Sequence, residues 1–234
     1  MTPDNRNTVL TYDAEAFPFH VVIAEAIGCD TLAELRAGLP AGGVGEGASL
    51  YRNMEQTSAF RALYEGLEGA SGQAFYRLYE RFLREVVAPQ YGGESIYYQV
   101  RPSHRILFAD TPGASRFHRD RDYGHHPSEV NYLVPQTAAF ATNTLWIESA
   151  EGLGDYAPAE MRVGEYLRFD GANLAHGAKN NATGATRVSF DFRVVPEGLA
   201  DEEIRTSDAR ASAAERSGNP VRDNARRFRL LRVE

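Results

Sequence analysis

The chain has 234 residues, 43% of them hydrophobic, a formal net charge of -7 and a pI near 5.5. That length and apolar content suffice to bury one good-sized core, and the acidic balance argues against a nucleic-acid partner, which needs a clustered basic surface. The single cysteine, Cys29, excludes an intrachain disulfide and a cysteine zinc site. The polar first ten residues lack a signal-peptide layout and no apolar run approaches a membrane span, so a soluble, cytoplasmic protein with no membrane partner is expected.

In chain order, Thr31 and Glu34 have capping-box spacing, and Gly38 with Pro40 closes the short helix predicted there. Residues 41–48 are glycine-rich but lack the Lys-Ser/Thr ending of a phosphate loop, and read as a flexible connection. Over residues 71–87, Phe75, Leu78, Phe82 and Val86 recur at helical spacing, and Tyr79 and Leu83 broaden that face. This predicts an amphipathic helix packed on a sheet.

After Gly92 and Gly93 the texture changes to short β-branched and aromatic runs divided by Gly, Pro and Asn. Strands are predicted at 95–101, 105–109, 130–135, 143–148, 165–170 and 186–195. Regularly spaced strands without helices between them point to an antiparallel sandwich or jelly roll. From Asp201 the tail is charged and polar with helical stretches, and its basic-apolar end, 226–232, is expected to lie as a strand or helix over the barrel. The expected fold is a single mainly β domain, 1–234. It comprises an N-terminal helical layer (1–92), a jelly-roll core (93–196) and a C-terminal helical tail (197–234).

Chemistry concentrates in a few residues. In an extended segment positions i and i+2 point the same way, so His118 and Asp120 can converge on one ion. By itself an H-x-D match is weak, since it arises often by chance, and an isolated one is better read as a surface histidine beside charges. His176, in the string NLAHG at 173–177, adds a second imidazole directly after a predicted strand. Two imidazoles and a carboxylate make the facial triad of non-haem iron, which leaves coordination positions open; catalytic zinc uses the same ligands. Arg187 bears on that choice. It opens a predicted strand on which Arg187 and Ser189 share one face, while Val188, Phe190 and Phe192 share the other. An arginine facing the interior of a sheet is costly unless an anion meets it, and its fork fits a carboxylate, with a serine hydroxyl beside it as a further donor. A zinc hydrolase has no use for that pair.

His118-x-Asp120, His176 and Arg187-x-Ser189 on a strand-rich scaffold resemble the double-stranded β-helix oxygenases that depend on iron(II) and 2-oxoglutarate. Over residues 99–196 the strings GHHP (124–127), EVNYLVP (129–135), TNTLWIES (142–149) and TRVSFDFR (186–193) are similar to a smaller group, the StrG-like oxygenases of aminoglycoside clusters. That group includes the hygromycin orthoester-forming enzyme. The resemblance implies iron(II) on His118, Asp120 and His176. It implies 2-oxoglutarate chelating the metal with its far carboxylate on Arg187 and Ser189, and dioxygen taking the remaining position. Halogenases of this superfamily have a small residue where Asp120 stands, so the resemblance implies an oxygenase or oxidative cyclase. It also implies a small polar substrate, a polycationic aminoglycoside or its precursor, oxidised by hydroxylation or by ring or orthoester closure. A metal hydrolase and a non-catalytic jelly-roll binding module are the alternatives.

The pocket candidates are Gln99, Arg105, Tyr123, Asn131, Asn143 and Trp146, with Asn131, Asn143 and Trp146 on strands that a jelly roll sets around its cavity. For Gln99 and Arg105 a surface ion pair is an equal reading, and a tryptophan such as Trp146 is more often core than ligand contact, although a cavity-facing indole would shape the co-substrate pocket. Asp122, Glu129, Glu148 and Asp191 are the acidic groups that a cationic substrate would want at the mouth. Arg101, Arg105 and Arg193 are the spare arginines that an amino-acid substrate would want. His125 and His126 read as rim residues without a carboxylate partner, His104 and His20 as structural, and Asp170 and Asn173 as ordering the turn before His176.

Overall fold

Strand β9 (Arg187–Pro196) is the axis on which the molecule is built. The computed structural model describes residues 7–36, 57–112, 116–213 and 227–233. Within them the order is β1 (Asn7–Thr11), α1 (Phe19–Ile27), α2 (Ser58–Glu68), α3 (Ala70–Phe82), β2 (Ile96–Gln99), β3 (Ser103–Leu107) and β4 (Val130–Pro135). Then follow β5 (Leu145–Ile147), β6 (Ala157–Pro158), β7 (Glu165–Phe169), β8 (His176–Ala178), β9, α4 (Glu202–Ala213) and β10 (Phe228–Leu231). The larger sheet runs β1-β7-β4-β9-β2-β10. Along one edge β9 pairs with β4; along the other it pairs first with β3 (Leu107 opposite Arg187, Ser103 opposite Asp191) and then with β2. A smaller sheet runs β6-β5-β8, and every ladder is antiparallel.

The two-residue period of β9 divides its side chains between two environments. Val188, Phe190, Phe192 and Val194 are fully buried in a core shared with α1, α2 and α3. There the rings of Phe19, Phe75 and Tyr79 meet Phe190 or Phe192 edge-on at 4.9–5.3 Å. Each such ring contributes about 1.5–3 kcal/mol of burial, with further edge-to-face attraction. Tight packing of the helices needs Gly66, since a Cβ there would lie 2.1 Å from the Ala26 carbonyl oxygen. With one face committed to this core, Arg187, Ser189, Asp191 and Arg193 turn together to the opposite face. A smaller apolar cluster, including Leu133, Ile147, Leu167, Phe169 and Leu174, joins strands of both sheets.

The architecture is mainly β with a few helices, as expected, and all six predicted strands are present, 130–135 with its bounds unchanged and the other five with shifted ends. Several differences have physical causes. The expected helical layer begins with a strand, β1, which pairs with β7 at the sheet edge and has no fully buried residue, so its pattern carries no strand signal. The segment after Thr31 is only a single 3-10 turn, Leu32–Glu34, because the Thr31 side chain makes no cap. Gly38, Pro40 and 41–48 lie outside the described residues. α3 passes into a π-helical turn at Leu83–Val87, and that extra residue buries Val87 fully while Val86 packs, partly buried, against the same core. The basic-apolar C-terminal end is β10, paired with β2.

His104, on β3, is buried with neither ring nitrogen hydrogen bonded among the described residues, its ring against Phe75 and Tyr64. Burial pushes its pKa down to about 4. The unfolded chain, with an ordinary histidine near 6.5, therefore binds the proton first. Stability falls as pH drops from about 6.5 to about 4, by about 3 kcal/mol from this group alone. Urea unfolding of wild type and His104→Phe across that range should show the variant losing less stability toward acid; parallel profiles would exclude this role.

Candidate metal centre

His118 and His176 meet as a short antiparallel bridge, with the His118 N–H donating to the His176 carbonyl at 3.0 Å and the return bond at 2.9 Å. Partners directly opposite in such a pair share a face, so the two imidazoles stand side by side, 4.7 Å between ring centres. The approach depends on Gly177: a Cβ there would sit 3.0 Å from the backbone of Phe117. Two residues after His118 the chain turns, and the Asp120 N–H donates to the Gly171 carbonyl at 2.9 Å as the 3-10 turn Asp120–Tyr123 begins. The loop before His176 is tied down by Asn173, which donates to the Asp170 carboxylate (2.7 Å) and the Pro127 carbonyl (3.1 Å) and accepts from Arg121 (3.1 Å). On its far side the buried Glu148 carboxylate accepts from the Ala175 N–H at 2.7 Å.

Hydrogen bonding assigns the tautomers. His118 Nδ1 lies 2.7 Å from the Arg116 carbonyl and His176 Nδ1 lies 2.9 Å from the Leu174 carbonyl. A carbonyl only accepts, so each Nδ1 carries the proton and each Nε2 keeps a free lone pair. The two Nε2 atoms lie 3.4 and 3.6 Å from Asp120 Oδ1. The three side chains can each offer a ligand atom within 4.8 Å of the others, which is the spacing of donors around one ion. The set of two neutral imidazoles and one carboxylate fits iron(II), and three ligands leave positions open.

Asp120 is 3% exposed, and burial opposes its charge. Arg193, His118 and Asn131 outweigh that penalty and hold its carboxyl well below the usual range. Burial pushes His176 down, keeping it neutral. For His118, burial is outweighed by the bonds that its protonated ring makes to the Asp120 carboxylate and the Arg116 carbonyl, which raise it. Protons therefore compete with a metal at His118, and metal affinity falls as pH is lowered.

Farther along the same face of β9, Arg187 is 6% exposed and Ser189 is fully buried. Among the described residues Arg187 Nε and Ser189 Oγ have no hydrogen-bond partner. Burial, and then the neighbouring Arg105, push Arg187 down to about 10. Two buried donors without a partner on one strand face could receive an anion, and a guanidinium fork matches a carboxylate.

No protein-family model matches the chain. Over 200 residues it is 33% identical to the streptomycin biosynthesis protein StrG of Streptomyces griseus, spanning 86% of this chain and 90% of StrG. The chain belongs to the StrG family. Among solved structures it resembles EctD from S. alaskensis, determined with 2-oxoglutarate and 5-hydroxyectoine (14% identity, 84% of this chain and 74% of EctD, TM-score 0.54), which reflects a common fold. A shorter likeness, over 53% of this chain and 69% of the other, relates it to HygX from Streptomyces hygroscopicus, determined with nickel and 2-oxoglutarate (14% identity, TM-score 0.37).

In this StrG-family chain the six pocket candidates separate. Asn131 donates to Asp120 Oδ2 at 2.8 Å. Gln99 is buried beneath the same cluster, accepting from Arg193 at 3.3 Å and donating to the Arg101 carbonyl at 2.7 Å. Arg105 makes an ion pair with Asp191 at 2.8 Å. Tyr123 is exposed, its ring edge-on to His118 at 5.2 Å. Asn143 is not on a strand: it closes the 3-10 turn Ala141–Asn143 and accepts from the Phe140 N–H, a loop anchor. Trp146 stands opposite Gly177, whereas its neighbour Ile147 enters the apolar cluster. Its indole thus faces away from that cluster and is covered by Lys179, the chain's only lysine, 3.2 Å above the ring. His125 does have a carboxylate partner: the turn at 126–129 returns Glu129 to within 2.9 Å of its Nδ1. Sequence reasoning treated Arg193 only as a spare arginine, although its place on the face of Arg187 and Ser189 was readable from the two-residue period.

Because Gly177 sets the spacing of the two histidines, Gly177→Ala should destabilise the protein by about 1–3 kcal/mol and weaken metal binding in the variant that still folds. Thermal unfolding and nickel titration measure both; a variant with wild-type stability and affinity would contradict the packing argument.

Proposed function

We propose that this protein is an oxygenase dependent on iron(II) and 2-oxoglutarate, built as one domain on a double-stranded β-helix. The observation that carries the reading is the pairing of two features on one scaffold. The His118, Asp120 and His176 set presents three ligand atoms close together, and on the adjoining strand face the buried Arg187 Nε and Ser189 Oγ lack a partner among the described residues. A hydrolase on the same ligands leaves the second feature without a purpose. EctD, which has the same fold, was determined with 2-oxoglutarate, in agreement with the assignment.

When bound, iron(II) with 2-oxoglutarate supplies activation of dioxygen and oxidation of a substrate C–H bond. The chain's own residues bind and orient. His118 and His176 give their Nε2 lone pairs and Asp120 its Oδ1. Arg187 and Ser189 receive the far carboxylate of the co-substrate and so fix which end approaches the metal. The fully buried phenylalanines behind β9 keep water from that strand and preserve the strength of its charge interactions.

The substrate we infer is a small polar metabolite of antibiotic biosynthesis, an aminoglycoside or its precursor, undergoing hydroxylation or oxidative ring closure. The family relationship to a streptomycin biosynthesis protein supports this class. A cleft of about 330 Å³ beside His118, lined by Phe117, Tyr156 and the exposed Asp122 among others, suits a polar ring, with aromatic faces to stack on and an acidic group at the rim; Glu148 also borders it but is buried, its carboxylate held by the Ala175 and Gly154 N–H groups. Glu129 and Asp191 do not serve there, being engaged with His125 and Arg105.

Two measurements test the assignment. Under anaerobic conditions, iron(II) and 2-oxoglutarate should give the weak visible charge-transfer band of a chelated keto acid, and His176→Ala or Asp120→Ala should abolish it; a band surviving both substitutions would mean other ligands. Arg187→Ala should raise the apparent KM for 2-oxoglutarate by about two orders of magnitude or more with little change in iron affinity, since breaking a buried charge pair costs about 3–5 kcal/mol. Lysine there should rescue only part of the loss. An unchanged KM in the alanine variant would remove Arg187 from the co-substrate site.

A further inference from the structure

The two oxygens of Asp120 have different surroundings. Oδ1 faces the imidazoles, whereas Oδ2 accepts from Arg193 Nε (3.0 Å), Arg193 Nη2 (2.9 Å) and Asn131 Nδ2 (2.8 Å). Three donors on one carboxylate oxygen occupy its lone pairs and leave Oδ1 as the oxygen available to a metal. The guanidinium is itself fixed from other directions. Its Nη1 donates to Gln99 Oε1 at 3.3 Å, and its Nε lies 3.3 Å from Glu129 Oε2. Glu129 is in turn held by His125 Nδ1 at 2.9 Å and the His126 N–H at 3.0 Å. Arg193, Asp120, Glu129, Asn131 and Gln99 are all buried.

Resting on the metal-site reading above, we propose that Arg193 is a positioning residue that makes Asp120 a one-oxygen ligand, with Asn131 as its partner on the same oxygen. A free carboxylate can bind a cation through both oxygens and so fill one of the positions that a co-substrate and dioxygen need. Here the second oxygen is turned into the β9–β4 wall, and the guanidinium offsets the ligand's charge. Asp120 thereby keeps one orientation before any metal arrives. Asn131 and Arg193 face each other in the β4–β9 ladder, so the clamp on Oδ2 is set by strand register. Glu129 and Gln99 keep the fork of Arg193 from following Asp120 if the turn at Asp120–Tyr123 shifts.

The test is nickel(II) binding to the apoprotein by calorimetry, without 2-oxoglutarate, with the visible spectrum of the cobalt(II) form as a second readout. Failure of the co-substrate assignment leaves both readouts unaffected. Loss of groups that orient a metal ligand typically weakens metal binding by about 10–100-fold. Arg193→Gln should fall toward the weaker end, Arg193→Lys should recover part of the affinity, and Asn131→Ala should lose about tenfold. Arg193→Gln should shift the cobalt bands as Oδ2 becomes free to bind, and Asn131→Ala and Arg193→Lys should shift them less, since each leaves part of the clamp on that oxygen. If Arg193→Gln does not fold, Asn131→Ala, which removes a neutral donor from the same oxygen, decides the question. Folded variants with nickel affinity within about twofold of wild type, and with unshifted cobalt bands, would overturn the proposal and leave Arg193 a purely structural ion pair.

Discussion

A carboxylate that is 3% exposed would ordinarily give up its charge, and Asp120 keeps it because Arg193 and Asn131 place three donors on one of its oxygens. Most of the local architecture follows from satisfying that arrangement. Arg193 has to be buried to reach Asp120, so Gln99 on β2 and Glu129 at the entry to β4 turn toward the guanidinium as well. Three strands and the turn at Asp120–Tyr123 are thereby tied to one cation. Breaking one member of such a buried set typically costs about 3–5 kcal/mol, comparable with a large share of a domain's net stability.

The same strand supplies the opposite environment on its other side. Phe190 and Phe192 alternate with Ser189, Asp191 and Arg193, so each polar group facing inward is backed by a ring locked between α1, α3 and the sheet. Aromatic packing outside and charge inside are consequences of one alternating pattern. A one-residue slip of β9 against β3 and β4 would send the arginines into the aromatic core, so its register is strongly specified. Among the described residues Arg187 Nε and Ser189 Oγ have no hydrogen-bond partner on this strand, where, under the proposed reading, the carboxylate of a co-substrate would meet donors already in place.

Much of this was legible in the sequence because it depends on short periods. The i, i+2 spacing of His118 and Asp120, the shared face of Arg187 and Ser189, and the six strand-like runs are local patterns, and the structure brings His118, Asp120 and His176 together. Long-range geometry was less readable. β1 has no fully buried residue to announce it, and β8 is three residues long and exists through pairing with β5. The π-helical turn after Phe82 buries Val87 more deeply than Val86, an effect invisible to a 3.6-residue count. Trp146 was placed on the correct strand, but its side was fixed by the pairing of Ile147 with His176, which no local pattern gives. The partnership of His125 with Glu129 required knowing that the intervening turn folds back on itself.

The most direct test of the account is a crystal structure of the protein with nickel(II) and 2-oxoglutarate. The account predicts the metal on His118 Nε2, His176 Nε2 and a single Asp120 oxygen, with Oδ2 still on Arg193 and Asn131. It predicts the far carboxylate of 2-oxoglutarate on Arg187 and Ser189. A metal bound by both Asp120 oxygens, or a 2-oxoglutarate carboxylate seated away from Arg187, would contradict it.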